Sequence, residues 1–126
     1  MSFKLITIIV LLMIGNTFKQ FSANRQLLIF GKEGNETLVQ QQLQVLNAEP
    51  DALKERAIKI TVVEKDNALH KKYSAETGQF AVILIGKDGT EKYRTNTLLQ
   101  TKELFAVIDA MPMRRAEMKR KGEKSN

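Results

Sequence analysis

The chain has 126 residues, of which 43% are hydrophobic and 27% charged, so it can form one packed domain and is too apolar for an intrinsically disordered protein. It contains no cysteine, which excludes disulfide bonds and all thiol chemistry. The formal net charge is +6, but residues 24–112 are neutral and residues 113–126 hold six basic residues against two acidic ones, so the basic excess belongs to the two ends.

An apolar run precedes the predicted domain. Residues 5–14 follow one lysine and lead into a polar stretch that ends at Ala23, which is the layout of a signal peptide. The run is about half of the ~20 residues that a membrane-spanning helix needs. Cleavage after Ala23 would place Phe21 three residues before the cut, where signal peptidases prefer a small residue. The segment could therefore also be an uncleaved N-terminal anchor. We expect residues 1–23 to be a signal peptide or N-terminal anchor and the protein to be periplasmic or secreted.

The first predicted strand runs into a glycine-rich loop and a helix. Residues 25–30 form a short predicted strand, and its residues 27–30, "LLIF", are too apolar for a solvent-facing edge, which predicts a buried position in a sheet. Gly31 and Gly34 permit a tight turn. Asn35 or Thr37 can cap the helix that follows, and Thr37 with Gln40 has the spacing of a capping box.

Amphipathic periodicity predicts the next elements. Val39, Leu43 and Leu46 form one apolar stripe of the helix, with the glutamines of residues 40–44 mostly on other faces. Pro50 can begin a short helix, and residues 57–64 alternate as a strand does. A further short helix over residues 66–76 is predicted at the surface, with the only histidine, His70, in solvent.

A hairpin and a last helix complete the predicted domain. Six apolar residues, 80–85, precede the turn Gly86-Lys87-Asp88-Gly89, and a polar partner strand follows, which predicts a central strand paired with an edge strand. An amphipathic helix over residues 98–111 ends or kinks at Pro112. Residues 113–126 are expected to be a helix end and a basic tail.

The order of these elements predicts an α/β fold. Helices between the first strands require crossover connections, and the last two strands form an antiparallel hairpin. The result is a thioredoxin-like domain over residues 24–112, with a mixed four-stranded sheet and helices on both faces.

Five stretches of the sequence resemble a known family. They are "RQLLIFGKEGN", "QQQLQVL", "LKERAIKITVVE", "VILIGKDGTEKYR" and "LFAVIDAMPMRRAEM". In this order they resemble the bacterial domain-of-unknown-function family 4174, which is similar to the peroxiredoxin-like domain of sushi-repeat and equarin-type extracellular proteins. The resemblance implies a thioredoxin-like fold, export and no established activity.

The loop after the first strand is one candidate site. In thioredoxin-like enzymes a reactive cysteine sits there, at the start of the next helix, where the helix dipole lowers its pKa. This chain offers Gly31, Lys32, Gly34 and Asn35 instead. The free amides of the helix start could hold an anion or a partner carboxylate. We expect no catalytic residue, no metal site and no cofactor.

The second candidate site is the junction after the last helix. One interpretation gives these residues a purely structural role: the methionines pack back on the domain, Arg114 or Arg115 pairs with Glu117, and a frayed basic tail follows. The other interpretation gives them a binding role, as an adaptable methionine-rich contact surface for a protein, rimmed by arginine. Its residues are Met111, Pro112, Met113, Arg114, Arg115 and Glu117.

The functional hypothesis is an exported, non-catalytic protein-binding module without redox cysteines. The alternative is an enzyme that uses a vestigial pocket at the loop after the first strand with non-thiol chemistry. The expected partner is an envelope or extracellular protein. The basic tail could also hold the chain to an anionic membrane surface, and nucleic acid is not an expected partner.

Overall fold

A computed structural model of the protein describes residues 21–125, with side chains described up to residue 122. The signal or anchor prediction therefore lies almost wholly outside the described residues. The elements in chain order are β1 (Arg25–Phe30), α1 (Glu36–Asn47), α2 (Pro50–Glu55), β2 (Ile58–Val62), α3 (Leu69–Lys72), β3 (Ala81–Ile85), β4 (Glu91–Thr95), α4 (Thr101–Asp109) and α5 (Pro112–Ser125).

The four strands form one mixed sheet in the order β2-β1-β3-β4. β1 pairs with β2 in parallel and with β3 antiparallel, and β3 pairs with β4 antiparallel. The predicted thioredoxin-like architecture is confirmed, with the apolar strands in the centre and the polar β4 at an edge. We call the end of the sheet where β1 begins the entry end, and the end where β1 finishes the loop end.

Alternation along β1 and β3 places apolar side chains on both faces of the sheet. Leu27 and Ile29 lie in the larger core, with α1, α2 and α4. Leu28 and Phe30 lie in a smaller core on the other face, against which α3 packs Leu69. All five residues of β3 are buried, which fits a strand covered on both sides. None of the helices in the described part of the chain is long and apolar enough to cross a membrane.

Gly31 allows the chain to turn closely against the neighbouring strand. Its φ is +109°, and a Cβ atom added there would lie 2.8 Å from the Cα atom of Phe80. Only glycine combines this backbone conformation with this approach. The predicted tight turn is confirmed, but the capping box is wrong, because Thr37 lies within α1 and Asn35 occupies the N-cap position.

The buried side of α1 includes a polar residue that its apolar stripe does not predict. Gln42 is fully buried, and its amide donates to the carbonyl of Leu99 at 2.9 Å and accepts from the Leu99 N–H at 2.7 Å. The Gln42 side chain thus satisfies both backbone hydrogen-bonding groups of Leu99, as a neighbouring strand would do in a sheet. This pair fixes the segment before α4 against α1.

The chain after α4 differs from the predicted helix end and basic tail. Pro112 is the first residue of α5, where its missing N–H costs no hydrogen bond, so the proline begins a new helix. α5 crosses the entry end, where Glu117 contacts both Arg25 at the start of β1 and Lys87 in the hairpin turn.

Candidate functional site

The loop end carries charges that pair with one another. Lys32 binds Glu64 at 2.8 Å and Lys65 lies 3.4 Å from Glu33, with all four side chains well exposed. The hydrogen bond from Lys32 to Glu64 raises the pKa of the lysine. The side chain of Asn35 donates to the carbonyl of Gly78 at 2.6 Å, so it ties the loop to the segment before β3. These ion pairs and this hydrogen bond therefore fix the conformation of the loop.

His70 is also a structural residue at this end. Its Nδ1 lies 2.9 Å from the carbonyl oxygen of Ala75 and its Nε2 lies 3.1 Å from that of Glu64. Its ring stands edge-on to Phe30, with 5.0 Å between the centroids. The prediction of a solvated surface histidine is wrong, because two carbonyls and an aromatic ring hold the imidazole. Within the described residues, no three acidic, histidine or cysteine side chains come together as a metal site.

A groove opens at the entry end, between the hairpin turn and the junction of α4 with α5. Its volume is about 360 Å³. One wall is formed by the α4–α5 junction and the other by the hairpin, with the start of β1 between them. We call it the methionine groove, and its lining residues are Arg25, Gly86, Lys87, Asp88, Lys92, Met111, Pro112 and Met113.

Buried arginines fix the geometry of this groove. The side chains of Arg25 and Arg114 are each only 1% exposed. Arg25 donates to both carboxylate oxygens of Glu117, at 3.3 and 3.4 Å, and to the carbonyl of Arg56 at 2.8 Å. Arg114 contacts Glu55 and Asp109 at 3.0 and 3.1 Å. Such buried guanidinium groups are tolerated only where they are paired and hydrogen-bonded.

The same ion pairs hold α5 to four other elements. Asp109 at the end of α4 accepts two bonds from Arg56, at 2.9 and 3.0 Å, besides its contact with Arg114. Glu117 accepts from Lys87 at 2.6 Å and lies 3.8 Å from Arg114. The position of α5 therefore depends on directional polar contacts to β1, the hairpin turn and the ends of α2 and α4. We call Arg25, Glu55, Arg56, Lys87, Asp109, Arg114 and Glu117 the ion-pair cluster.

The cluster shifts the pKa values of its carboxylates. Burial alone would raise the pKa of Glu117, but the hydrogen bonds from Lys87 and Arg25 outweigh it and the net effect is a lowered pKa. The hydrogen bonds from Arg56, aided by Arg114, lower the pKa of Asp109 against the opposing effect of burial. Both acids are thus held in their charged form in the folded protein.

We predict that acid destabilises the protein through this cluster. A carboxylate whose folded pKa is depressed contributes stability that is present above its unfolded pKa and is lost as the pH falls through the folded value. The free energy of unfolding should therefore decrease when the pH is lowered below the ordinary pKa values, which are 4.5 for Glu117 and 3.8 for Asp109. Denaturant unfolding followed by far-ultraviolet circular dichroism at a series of pH values measures this loss. The loss should be smaller in Glu117→Gln, and an identical pH dependence in that variant would contradict the assignment.

The structure separates the predicted contact residues at the α4–α5 junction into three groups. Met111, Pro112 and Met113 line the methionine groove, and Met113 is 43% exposed. Arg114 and Glu117 face inward and pair with each other, whereas Arg115 is exposed. Sequence reasoning missed Arg25, Lys87 and Lys92 as groove residues, because only the pairing of β1 with β3 brings the hairpin turn beside the start of β1.

The fold and the cysteine-free loop after β1 define the class: a thioredoxin-like domain without the thiols of the enzymes that share this fold. The chain belongs to the family described as Domain of unknown function (DUF4174), whose model matches residues 18–117. Among curated proteins, none matches the chain.

Three solved structures show the fold. Thioredoxin-2, a component of malaria parasite protein secretion machinery, has a TM-score of 0.53 and 19% identity, covering 70% of this chain and 84% of its own. A structure described as a malarial protein has a TM-score of 0.51 and 21% identity, covering 68% and 94%. The mitochondrial 2-Cys peroxiredoxin from Plasmodium falciparum has a TM-score of 0.50 and 12% identity, covering 70% and 75%.

Proposed function

We propose that this protein is an exported, non-catalytic protein-binding module, and that its binding site is the methionine groove. The observation that carries the proposal is the groove itself, of about 360 Å³, with Met111 and Met113 in its wall and charged side chains around it. Methionine is unbranched and polarizable, so a methionine wall adapts to apolar side chains of different shape.

Charge complementarity indicates the chemistry of the partner segment. The lining includes three cations, Arg25, Lys87 and Lys92, against one anion, Asp88. Asp88 already accepts from Lys92 at 2.9 Å. A partner segment with one apolar side chain next to an acidic residue matches this lining, because the apolar group meets methionine and the carboxylate meets the ammonium of Lys92, whose side chain is 34% exposed.

The loop end supports a non-catalytic role. At the position where thioredoxin-like enzymes keep a reactive thiol, this chain has Gly31 and no cysteine. The neighbouring charges of Lys32 and Glu33 pair with Glu64 and Lys65. With no thiol present and these charges paired, the loop end lacks the reactive groups of the thioredoxin-like enzymes.

Export is part of the proposal and rests on the sequence of residues 1–23, where a short apolar run precedes a polar stretch. A single domain without disulfides depends on its apolar core for stability in an exported setting. Direct sequencing of the N-terminus of the protein recovered from cell fractions tests this part.

A displayed-peptide selection tests the binding site. The library presents one apolar residue flanked by acidic residues, and the full-length protein is the target. We expect selected peptides to lose at least about tenfold in affinity when Met113→Gln makes the groove wall polar, since one well-placed interface side chain is worth more than ~1 kcal/mol.

Met118→Gln is the matched control, because Met118 is similarly exposed, lies on the same helix and does not line the groove. Selected peptides that bind both variants as well as the wild type would place the site elsewhere. A library that yields no binder would count against the peptide-binding hypothesis.

A further inference from the structure

The exposed apolar side chains of the described residues share one end of the molecule. The large ones are Phe21, 65% exposed, Met113, 43% exposed, and Met118, 36% exposed. Phe21 is next to Ser22, whose N–H donates to the carbonyl of Lys87 at 2.7 Å. Because the ammonium of Lys87 binds Glu117 of α5, the chain enters the domain beside that helix. The entry end thus combines the chain entry with the largest exposed apolar groups.

The outward side of α5 adds positive charge to this end. Arg114 and Glu117 point into the ion-pair cluster, so the opposite side of the helix faces solvent. Arg115 and Lys119 are one turn apart on that side, Arg120 follows, and all three are exposed. Met118 is three residues from Arg115, so an apolar group lies beside the basic ones.

The short distance in sequence between the N-terminal apolar run and the domain limits how far the domain can lie from a bilayer that contains the run. The run ends at residue 14, so only residues 15–20 separate it from Phe21. Six residues span at most about 20 Å when fully extended. If the run inserts into a bilayer, the entry end must therefore lie close to the bilayer surface.

We propose that the outward side of α5, formed by Arg115, Lys119 and Arg120 with Met118 at its border, is a contact surface for an anionic lipid bilayer. The N-terminal apolar run is too short to anchor the chain firmly alone, and a second, electrostatic attachment is what such a segment requires. Basic residues near an anionic membrane each add to the attraction, and Met118 beside Arg115 can enter the interfacial layer at the edge of this surface. This surface is separate from the methionine groove and does not depend on the groove being a binding site.

The test uses the full-length chain and vesicles of phosphatidylcholine alone or mixed with phosphatidylglycerol. Because the protein has no cysteine, Met118→Cys can carry one environment-sensitive fluorophore. Asn96→Cys is the control position, since it is exposed and follows β4 at the loop end. We expect the label at residue 118 to report an apolar environment on the mixed vesicles and the label at residue 96 to remain unchanged.

A charge-matched pair of variants tests the basic residues. The triple change Arg115→Gln, Lys119→Gln and Arg120→Gln should lower partition into the mixed vesicles by roughly ten- to a hundredfold and leave partition into phosphatidylcholine vesicles unchanged. The control removes the same charge from exposed lysines outside α5, as Lys54→Gln, Lys59→Gln and Lys102→Gln.

Three results would overturn the proposal. They are equal partition into both kinds of vesicle, equal losses in the two triple variants, and equal responses of the two labels. An unchanged far-ultraviolet circular dichroism spectrum and unfolding midpoint of the α5 triple variant would show that the protein is folded, so a loss of vesicle binding could be assigned to the charges.

Discussion

Replacing Glu117 with alanine is expected to lower the free energy of unfolding by about 3 kcal/mol, because it leaves cations without their carboxylate in a region shielded from water. Arg25, only 1% exposed, would keep one acceptor, the carbonyl of Arg56, and Lys87 would lose its ion pair. The change acts on α5 first, since Glu117 joins that helix to both β1 and the hairpin turn. Three kcal/mol is a large share of the 5–15 kcal/mol typical of a domain.

The measurement is denaturant unfolding at neutral pH, followed by far-ultraviolet circular dichroism because the chain has no tryptophan. Glu76→Ala is the control, since Glu76 is an exposed acidic residue in the segment before β3 and its removal should change stability by less than about 0.5 kcal/mol. If the two alanine variants unfolded alike, the ion-pair cluster would not be what holds α5.

Gly31→Ala is expected to cost a similar amount, about 3 kcal/mol, for a different reason. An alanine with φ near +109° pays for a left-handed backbone conformation, about 1–2 kcal/mol. Its Cβ atom would also lie 2.8 Å from the Cα atom of Phe80 and 3.1 Å from the carbonyl oxygen of Gln79. Both neighbours are backbone atoms, so relief requires movement of the chain at the start of β3, which adds a packing cost of ~1–3 kcal/mol.

Gly78→Ala separates the two costs. Gly78 also has a positive φ, +86°, but nothing lies within 4 Å of a Cβ atom added there. Its replacement should cost only the conformational part, about 1 kcal/mol. Thermal unfolding of both variants beside the wild type provides the comparison. Equal shifts would mean that the close approach to Phe80 is relieved without cost.

The sequence predicts those parts of the fold whose patterns are local. β3 is an uninterrupted apolar run, β1 contains one over residues 27–30, and the Asp88-Gly89 turn between β3 and a polar strand is a local hairpin signal. Pro112 marks a boundary because a proline in a helix interior removes a backbone hydrogen bond and clashes with the preceding turn, although the pattern does not indicate that α5 begins there. The methionine-rich junction was predicted as a contact surface from composition alone, and the structure places Met111 and Met113 in the wall of a groove.

The sequence could not predict the residues whose environment depends on distant partners. The sequence pattern predicts that Gln42 faces solvent. In the structure it is buried, because the backbone of Leu99, 57 positions later, provides both a donor and an acceptor for its side chain. Arg114 resembles any arginine of a basic tail, because the reasons for its burial are Glu55 on α2 and Asp109 on α4. Charged side chains are almost never fully buried without such pairs, so periodicity alone assigns them to the surface.

The two exposed methionines of α5 also determine how oxidants affect this cysteine-free chain. With no thiol to react first, peroxide reaches the thioethers of Met113 and Met118, which are 43% and 36% exposed. Oxidation to the sulfoxide turns a flexible apolar side chain into a polar one. The apolar wall of the groove would become polar at Met113 while the distant cores of the sheet stayed intact. A fold that elsewhere carries redox chemistry on cysteine thus retains, in this chain, a chemically sensitive surface at the opposite end of its sheet.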